Sequence, residues 1–242
     1  MKYVHKTRVP FSQTGAGEGL SVIGAAQIVE DSVCAFFASF GKDNISLSTN
    51  YNAVWVFVKN KFQMRAVVRW NEEITVETYF TEITKVTAVV DTVIKKASGE
   101  IAVFARSESC VVDFSSFKIR RISSVEFPEN MAVYPSAAGF DFTRFSGENL
   151  SKIYKFTVPS TSIDGCRHLN NVEYLRFILN TFSVSQELEH PVFETEIHYV
   201  NQALECEEIT IFCDKGDSGI FELKNGEKLV AKCKITRKQN KR

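Results

Sequence analysis

The chain has 242 residues, 44% of them hydrophobic, enough to bury one large core or two small ones. Lysine plus arginine equals aspartate plus glutamate at 29 each, so no global charge attracts nucleic acid or anionic lipid. The first residues lack an apolar signal core, and no run of about 18 apolar residues is present to span a bilayer, so a cytoplasmic protein is expected.

After a short opening strand, Gly15-Ala16-Gly17-Glu18-Gly19 lacks the glycine spacing of a dinucleotide-binding loop and reads as a flexible loop. It precedes residues 20–40, where Ile23, Ala26, Val29, Val33, Phe36, Phe37 and Phe40 recur at helical spacing and Gly41 supplies a stop. Residues 54–58 read as a buried strand, and 74–80 and 86–94 as further strands. Ser98-Gly99 turns the last of these into 101–112. The second half repeats the order: a strand over 153–158, a helix from 170 to about 186, then strands near 193–201, 207–213, 219–224 and 228–237. Two consecutive units, each with one long helix and a mostly antiparallel sheet, point to an old duplication. The expected division is 1–125, a linker over 126–150 rich in Ser, Gly, Pro and Asn, and 151–242. The tail 237–242 is expected to fray.

Of the six cysteines, Cys34, Cys110, Cys213 and Cys233 lie in apolar segments and read as small core residues. No closely spaced Cys or His pair forms a metal set. Trp55 and Trp70 read as core or dimer packing. Gly216-Asp217-Ser218-Gly219 has the residue order of a serine-protease nucleophile turn but sits between two short strands, so a hairpin turn is expected. Lys59, Lys61, Arg65 and Arg69 read as solvated strand edges.

The stretch that carries chemistry is Asp164-Gly165-Cys166-Arg167-His168-Leu169-Asn170-Asn171. Asp164, Cys166 and His168 stand two residues apart, so an extended backbone would aim all three side chains into one space. Asn170 and Asn171 open an apolar periodic run, and Glu173 at the third helical position makes a capping box with Asn170. A helix starting there aims free N–H groups and its positive dipole end at the same space. A carboxylate, an imidazole and an anion-stabilising helix start suit attack on a carbonyl.

These residues resemble the acyl-acyl-carrier-protein thioesterases of plants and bacteria, whose pattern is Asp-x-Asn-x-His-Val-Asn-Asn-x-x-Tyr. The chain supplies Asp164, His168, Asn170, Asn171 and Tyr174, with Leu169 for Val. Trp55-Val56-Phe57-Val58-Lys59 is similar to the family's Trp-Val-Leu-x-Arg strand, and Val76-Glu77-Thr78 to its Val-x-Thr strand. Gly99-Glu100, Ala105-Arg106-Ser107, Asp113 and Arg120-Arg121 follow in the family's order. Two positions depart: the central Asn is Cys166, and the Tyr-x-x-Glu-Cys run reads Tyr199-Val200-Asn201-Gln202-Ala203.

The resemblance implies an α+β double hotdog, each half a curved antiparallel sheet wrapped around one long helix. It implies hydrolysis of acyl-acyl-carrier-protein thioesters to free fatty acids, with no metal or organic cofactor. The second half would carry Asp164 as base or nucleophile, His168, Cys166 and Gln202 as the other catalytic groups, and Asn170 and Asn171 as the oxyanion-holding helix start. A Cys166–His168 dyad oriented by Asp164 is the alternative nucleophile. The first half would supply most of the acyl pocket, with Trp55 lining it. Arg120 and Arg121 would meet the carrier protein and its phosphopantetheine. The same fold acting on acyl-coenzyme A, or an idle acyl-binding protein, are the alternatives, and monomer and homodimer both fit.

Overall fold

The computed structural model describes residues 1–137, 139, 141–214 and 219–238, which divide into two units, Met1–Phe140 and Asp141–Arg242. The expected turn at 216–218 and the tail beyond 238 lie outside the described residues.

The first unit runs β1 (Tyr3–Arg8), α1 (Val22–Ala38), α2 (Asn44–Tyr51), β2 (Ala53–Met64), β3 (Glu73–Ile83), β4 (Thr87–Lys96) and β5 (Ile101–Asp113). Its strands lie antiparallel in the order β1-β3-β4-β5-β2. Ser21 caps α1 by accepting from the Gly24 amide at 2.9 Å. The helix then buries Ala25, Ile28, Val29, Val33, Phe36 and Phe37, spaced so that one stripe faces inward. It packs against β3 and β4, where Phe36 meets Phe80 with ring centroids 4.7 Å apart. Helix α2 is an addition the periodicity did not show. Its residues Asn-Ile-Ser-Leu-Ser-Thr-Asn-Tyr are weak helix formers. It is held by Asp43, whose Oδ1 accepts from the Ile45 and Ser46 amides, and by burial of Leu47.

The second unit runs β6 (Leu150–Thr157), α3 (Asn171–Leu179), α4 (Val184–Glu189), β7 (Val192–Tyr199), β8 (Glu208–Asp214), β9 (Ile220–Asn225) and β10 (Lys228–Arg237). Its antiparallel order is β6-β8-β9-β10-β7. With β6 for β1, β8 for β3, β9 for β4, β10 for β5 and β7 for β2, that is the order of the first unit, and α3 stands where α1 does. The single helix expected over 170–186 is broken. Helix α3 ends at Leu179, and Ser183 starts α4 with a reciprocal capping box to Gln186. Phe177 of α3 stacks on Phe156 of β6 at 3.7 Å between centroids.

The residues expected to form a linker are anchored. Phe127 is buried, the Tyr134 amide donates to the Phe80 carbonyl, and the Ser136 hydroxyl donates to Asp91 at 2.6 Å. In the second unit the buried Glu196 accepts from both the amide and the hydroxyl of Thr143, and bonds His198 at 2.8 Å. Arg237 is likewise engaged rather than frayed: its guanidinium donates to the His190 carbonyl at 2.6 Å. Cys110 and Cys233 are core residues as expected, but Cys34 is exposed and Cys213 only half-buried. Trp70 is 59% exposed, edge-on to Phe11, and not a core residue. Lys61 is buried and Lys59 is paired with Glu108 at 2.7 Å, so neither is a solvated edge charge.

Candidate active site

The loop before α3 brings Asp164, Cys166 and His168 together, but not by being extended. Residues 164–168 form a tight turn between an isolated Ile163–Leu169 bridge. The Asp164 amide donates to the His168 carbonyl at 3.0 Å, the Arg167 amide returns to the Asp164 carbonyl at 3.0 Å, and Arg167 takes φ 64°. The turn therefore folds the first and last side chains toward each other. His168 Nδ1 lies 3.6 Å from Asp164 Oδ2 and 3.2 Å from the Leu169 carbonyl. Asp164 Oδ1 accepts from the Cys166 amide at 2.8 Å. A donor atom of each of the three side chains lies within 4.8 Å of the others. The His168 side chain is 10% exposed and that of Asp164 21%, so the cluster is sheltered but open on one side.

The helix start is fixed by the same loop. The Asn170 amide donates to the Ser162 carbonyl, while Asn170 Oδ1 accepts from the Val172 amide at 2.9 Å. The expected capping box does not form: the Glu173 carboxylate bonds the Ser162 hydroxyl and Arg176. The Glu173 amide is taken by the Asn170 carbonyl. The Asn171 amide, at the first helical position, has no intrahelical acceptor. Tyr199 donates its hydroxyl to the Asn171 carbonyl, and the Tyr174 hydroxyl accepts from the Ala203 amide. Burial drives the Tyr174 phenol far above its usual range, so it stays neutral and keeps that role. The Leu169 amide donates to the Ala203 carbonyl at 2.8 Å, which carries the half-buried Gln202 alongside the loop.

The first unit contains the same loop without its chemistry. Gly15 donates to the Gly19 carbonyl, Glu18 returns to Gly15, and Leu20 donates to Val68, each bond matching one in 164–169. Glu18 has φ 59°, as Arg167 has 64°. By this match Gly15, Gly17 and Gly19 stand where Asp164, Cys166 and His168 stand, and Val67 where Gln202 stands. The glycine-rich segment is thus an ordered turn rather than a flexible loop. A β-carbon built on Gly19 would lie 2.9 Å from Val67 Cγ1, so Val67 occupies the space beside that position.

The other expected site residues lie in the first unit. Trp55 is buried, stacks on Phe37 at 4.6 Å and donates its indole N–H to the Lys42 carbonyl at 2.9 Å. It lines a cavity of about 220 Å³ with Val33, Cys34, Phe37, Asn44 and Phe57. Sequence reading missed the part of α2 in this cavity: Asn44 Oδ1 accepts from the Trp55 amide at 2.7 Å. Arg120 is tied inward, to the Tyr51 carbonyl at 2.6 Å and the Ser124 hydroxyl. Arg121 and Lys118 point outward.

Comparison with known proteins agrees in both units. Residues 1–132 match the acyl-ACP thioesterase N-terminal domain and residues 146–241 its C-terminal domain. The chain belongs to the acyl-ACP thioesterase family. It is a thioester hydrolase with the double hotdog fold, and acyl-ACP is its substrate class. The fold is similar to that of an acyl-ACP thioesterase from Bacteroides thetaiotaomicron, with a TM-score of 0.87, 16% identity and 98% of each chain covered. A putative oleoyl thioesterase from Lactobacillus plantarum gives 0.83 at 15% identity, covering 99% of this chain and 96% of that one. The 12:0-ACP thioesterase of Umbellularia californica gives 0.82 at 13%, covering 98% and 97%. A search of curated proteins finds no match. Among the described residues of this thioesterase, no helix is long and apolar enough to cross a membrane.

Proposed function

We propose that Asp164 and His168 hydrolyse the acyl thioester as a pair, with water as the nucleophile. The observation that supports this is the 3.6 Å approach of Asp164 Oδ2 to His168 Nδ1 inside a turn that already engages Oδ1. With Nδ1 facing the Leu169 carbonyl and the carboxylate, the other ring nitrogen is the one free to take a proton from water. Asp164 then orients the ring and stabilises the imidazolium. The Asn171 amide and the α3 dipole would hold the oxyanion, a kind of donor typically worth ~10²–10³ in rate. His168 next returns its proton to the departing pantetheine sulfur. Gln202 would position the water as an amide, since it cannot accept a proton as a carboxylate does.

The acyl chain is assigned to the first-unit cavity beside Trp55, within a unit of residues 1–125, with catalysis in 151–242. Arg121 and Lys118 are the cations offered to an acidic carrier protein. A reducing cytoplasm, where thiols persist, is the proposed compartment.

The test is release of free thiol from acyl-ACP by the His168→Ala variant. Turnover falls by about 10²–10⁴-fold while acyl-ACP binding persists. Wild-type turnover within a few-fold of the variant's would overturn the pair, and tight binding without any wild-type hydrolysis would point to an idle acyl-binding protein.

A second reading rests on the closeness of Cys166 to both groups. Its thiol, deprotonated by His168, would attack the carbonyl and break the bond to the pantetheine sulfur, which leaves as a thiol with that proton; water would then hydrolyse the acyl-cysteine. Mass-spectrometric trapping of that adduct would favour it.

A further inference from the structure

We propose that Asp164, Cys166 and His168 also form a three-ligand site for a zinc-class divalent cation, and that its occupation switches hydrolysis off. Carboxylate, thiolate and imidazole are together a donor set suited to zinc. One donor from each residue lies within 4.8 Å of the other two. Donors bound tetrahedrally at the usual bond lengths sit roughly 3.3–3.8 Å apart, and Asp164 Oδ2 and His168 Nδ1 already stand at 3.6 Å. The Cys166 sulfur would have to swing inward and the His168 ring to turn its Nδ1 from the Leu169 carbonyl, 3.2 Å away, on a loop whose backbone is fixed by hydrogen bonds.

The surroundings suit a bound ion. The Cys166 amide on Asp164 Oδ1 turns the second oxygen toward the site, and outer hydrogen bonds of this kind orient ligands. His168 is almost fully buried, and the cluster opens on one side, so a water would complete four-fold coordination. The ion would take the carboxylate oxygen and a ring nitrogen that the proposed hydrolysis needs. Its effect on turnover therefore rests on that reading, whereas its binding does not. The family pattern carries Asn at the position of Cys166, so the site is a property of this chain and not of the pattern it resembles. The matching loop of the first unit offers Gly15, Gly17 and Gly19 instead, the same turn with no ligand atoms.

The experiment uses the whole protein, stripped with chelator and titrated with cobalt(II), in a background where the exposed Cys34 and Cys206 are serine. Binding is expected to be stoichiometric, with a thiolate-to-cobalt charge-transfer band and tetrahedral visible absorption. Cys166→Asn, with the residue of the family pattern, removes the band and weakens binding by at least about tenfold, beyond the ~10–100-fold cost of losing an outer-shell partner at its low end. Zinc added at saturation lowers acyl-ACP turnover by at least tenfold in the parent protein, and chelator restores it. Cobalt binding without a thiolate band, or equal binding by Cys166→Asn, would overturn the site. Binding with unchanged or faster turnover would overturn the switch. Chelator-treated protein that binds cobalt as described yet hydrolyses nothing would count against the reading of the active site and leave the metal site standing.

Discussion

At the residue scale, the proposed chemistry turns on how the carboxylate of Asp164 is used. One oxygen is held by a backbone amide and the other faces an imidazole. A carboxylate so engaged acts best through the ring, which is why loss of His168 is expected to cost turnover rather than binding. That the side chains of Asp164, Cys166 and His168 come together was legible from their spacing, but the reason they meet was not. Spacing by two suits a strand, whereas the real device is a tight turn with Arg167 at φ 64°. Arginine gives no sign that it will occupy the left-handed region, which favours glycine and asparagine. The first-unit copy explains the departure from another side: there a glutamate, Glu18, takes the same conformation, so the loop's hydrogen bonds rather than its residue types impose it. The neighbourhood of Gln202 was visible only through the family pattern. The structure adds a physical reason, because Leu169 and Tyr174 both bond the backbone of Ala203.

At the scale of elements, periodic apolar stripes located α1 and the strands, while caps decided where helices end. Apolar spacing runs on through Phe182, so a single helix over 170–186 was a natural reading. Ser183 breaks it by opening its own capping box. Helix α2 was invisible because its serines, threonine and asparagines carry neither propensity nor stripe. Asp43 caps its start, beside the buried Leu47. The Ser46 hydroxyl and amide hold the Asp43 carboxyl below the usual carboxylate range. A folded pKa below the unfolded one stabilises the protein above the unfolded value near 4, and that contribution is lost as pH falls through the folded pKa. Asp43→Ala should therefore cost about 1 kcal/mol at pH 7. The gap between variant and parent in denaturant melts should close as pH falls below about 4. A gap that persists unchanged at acid pH would show that the carboxylate is not what holds α2.

At the scale of the molecule, the repeated order of elements was readable, but the strand order was not. Which strands pair depends on contacts far apart in sequence, such as Tyr3 with Thr78 and Thr157 with Glu208. Once the pairing is known, the two units are seen to share one strand order. The two units differ in what they carry: one has the loop with Asp164 and His168, the other the loop with glycines and an apolar cavity beside Trp55. At about 220 Å³ that cavity is smaller than the ~300–1,000 Å³ usual for ligand pockets. Long acyl chains would have to displace side chains to enter. Cys34→Trp, at its exposed rim, should cut turnover of long acyl-ACP by about tenfold relative to short. Equal effects on every chain length in a graded acyl-ACP series would remove the cavity from the acyl path.

The central claim is most directly tested by comparing hydrolysis of one acyl-ACP by Asp164→Ala and Cys166→Ser. The account predicts that the first abolishes turnover and the second keeps most of it. Survival of the alanine variant with loss of the serine variant would contradict it and make the thiol the nucleophile.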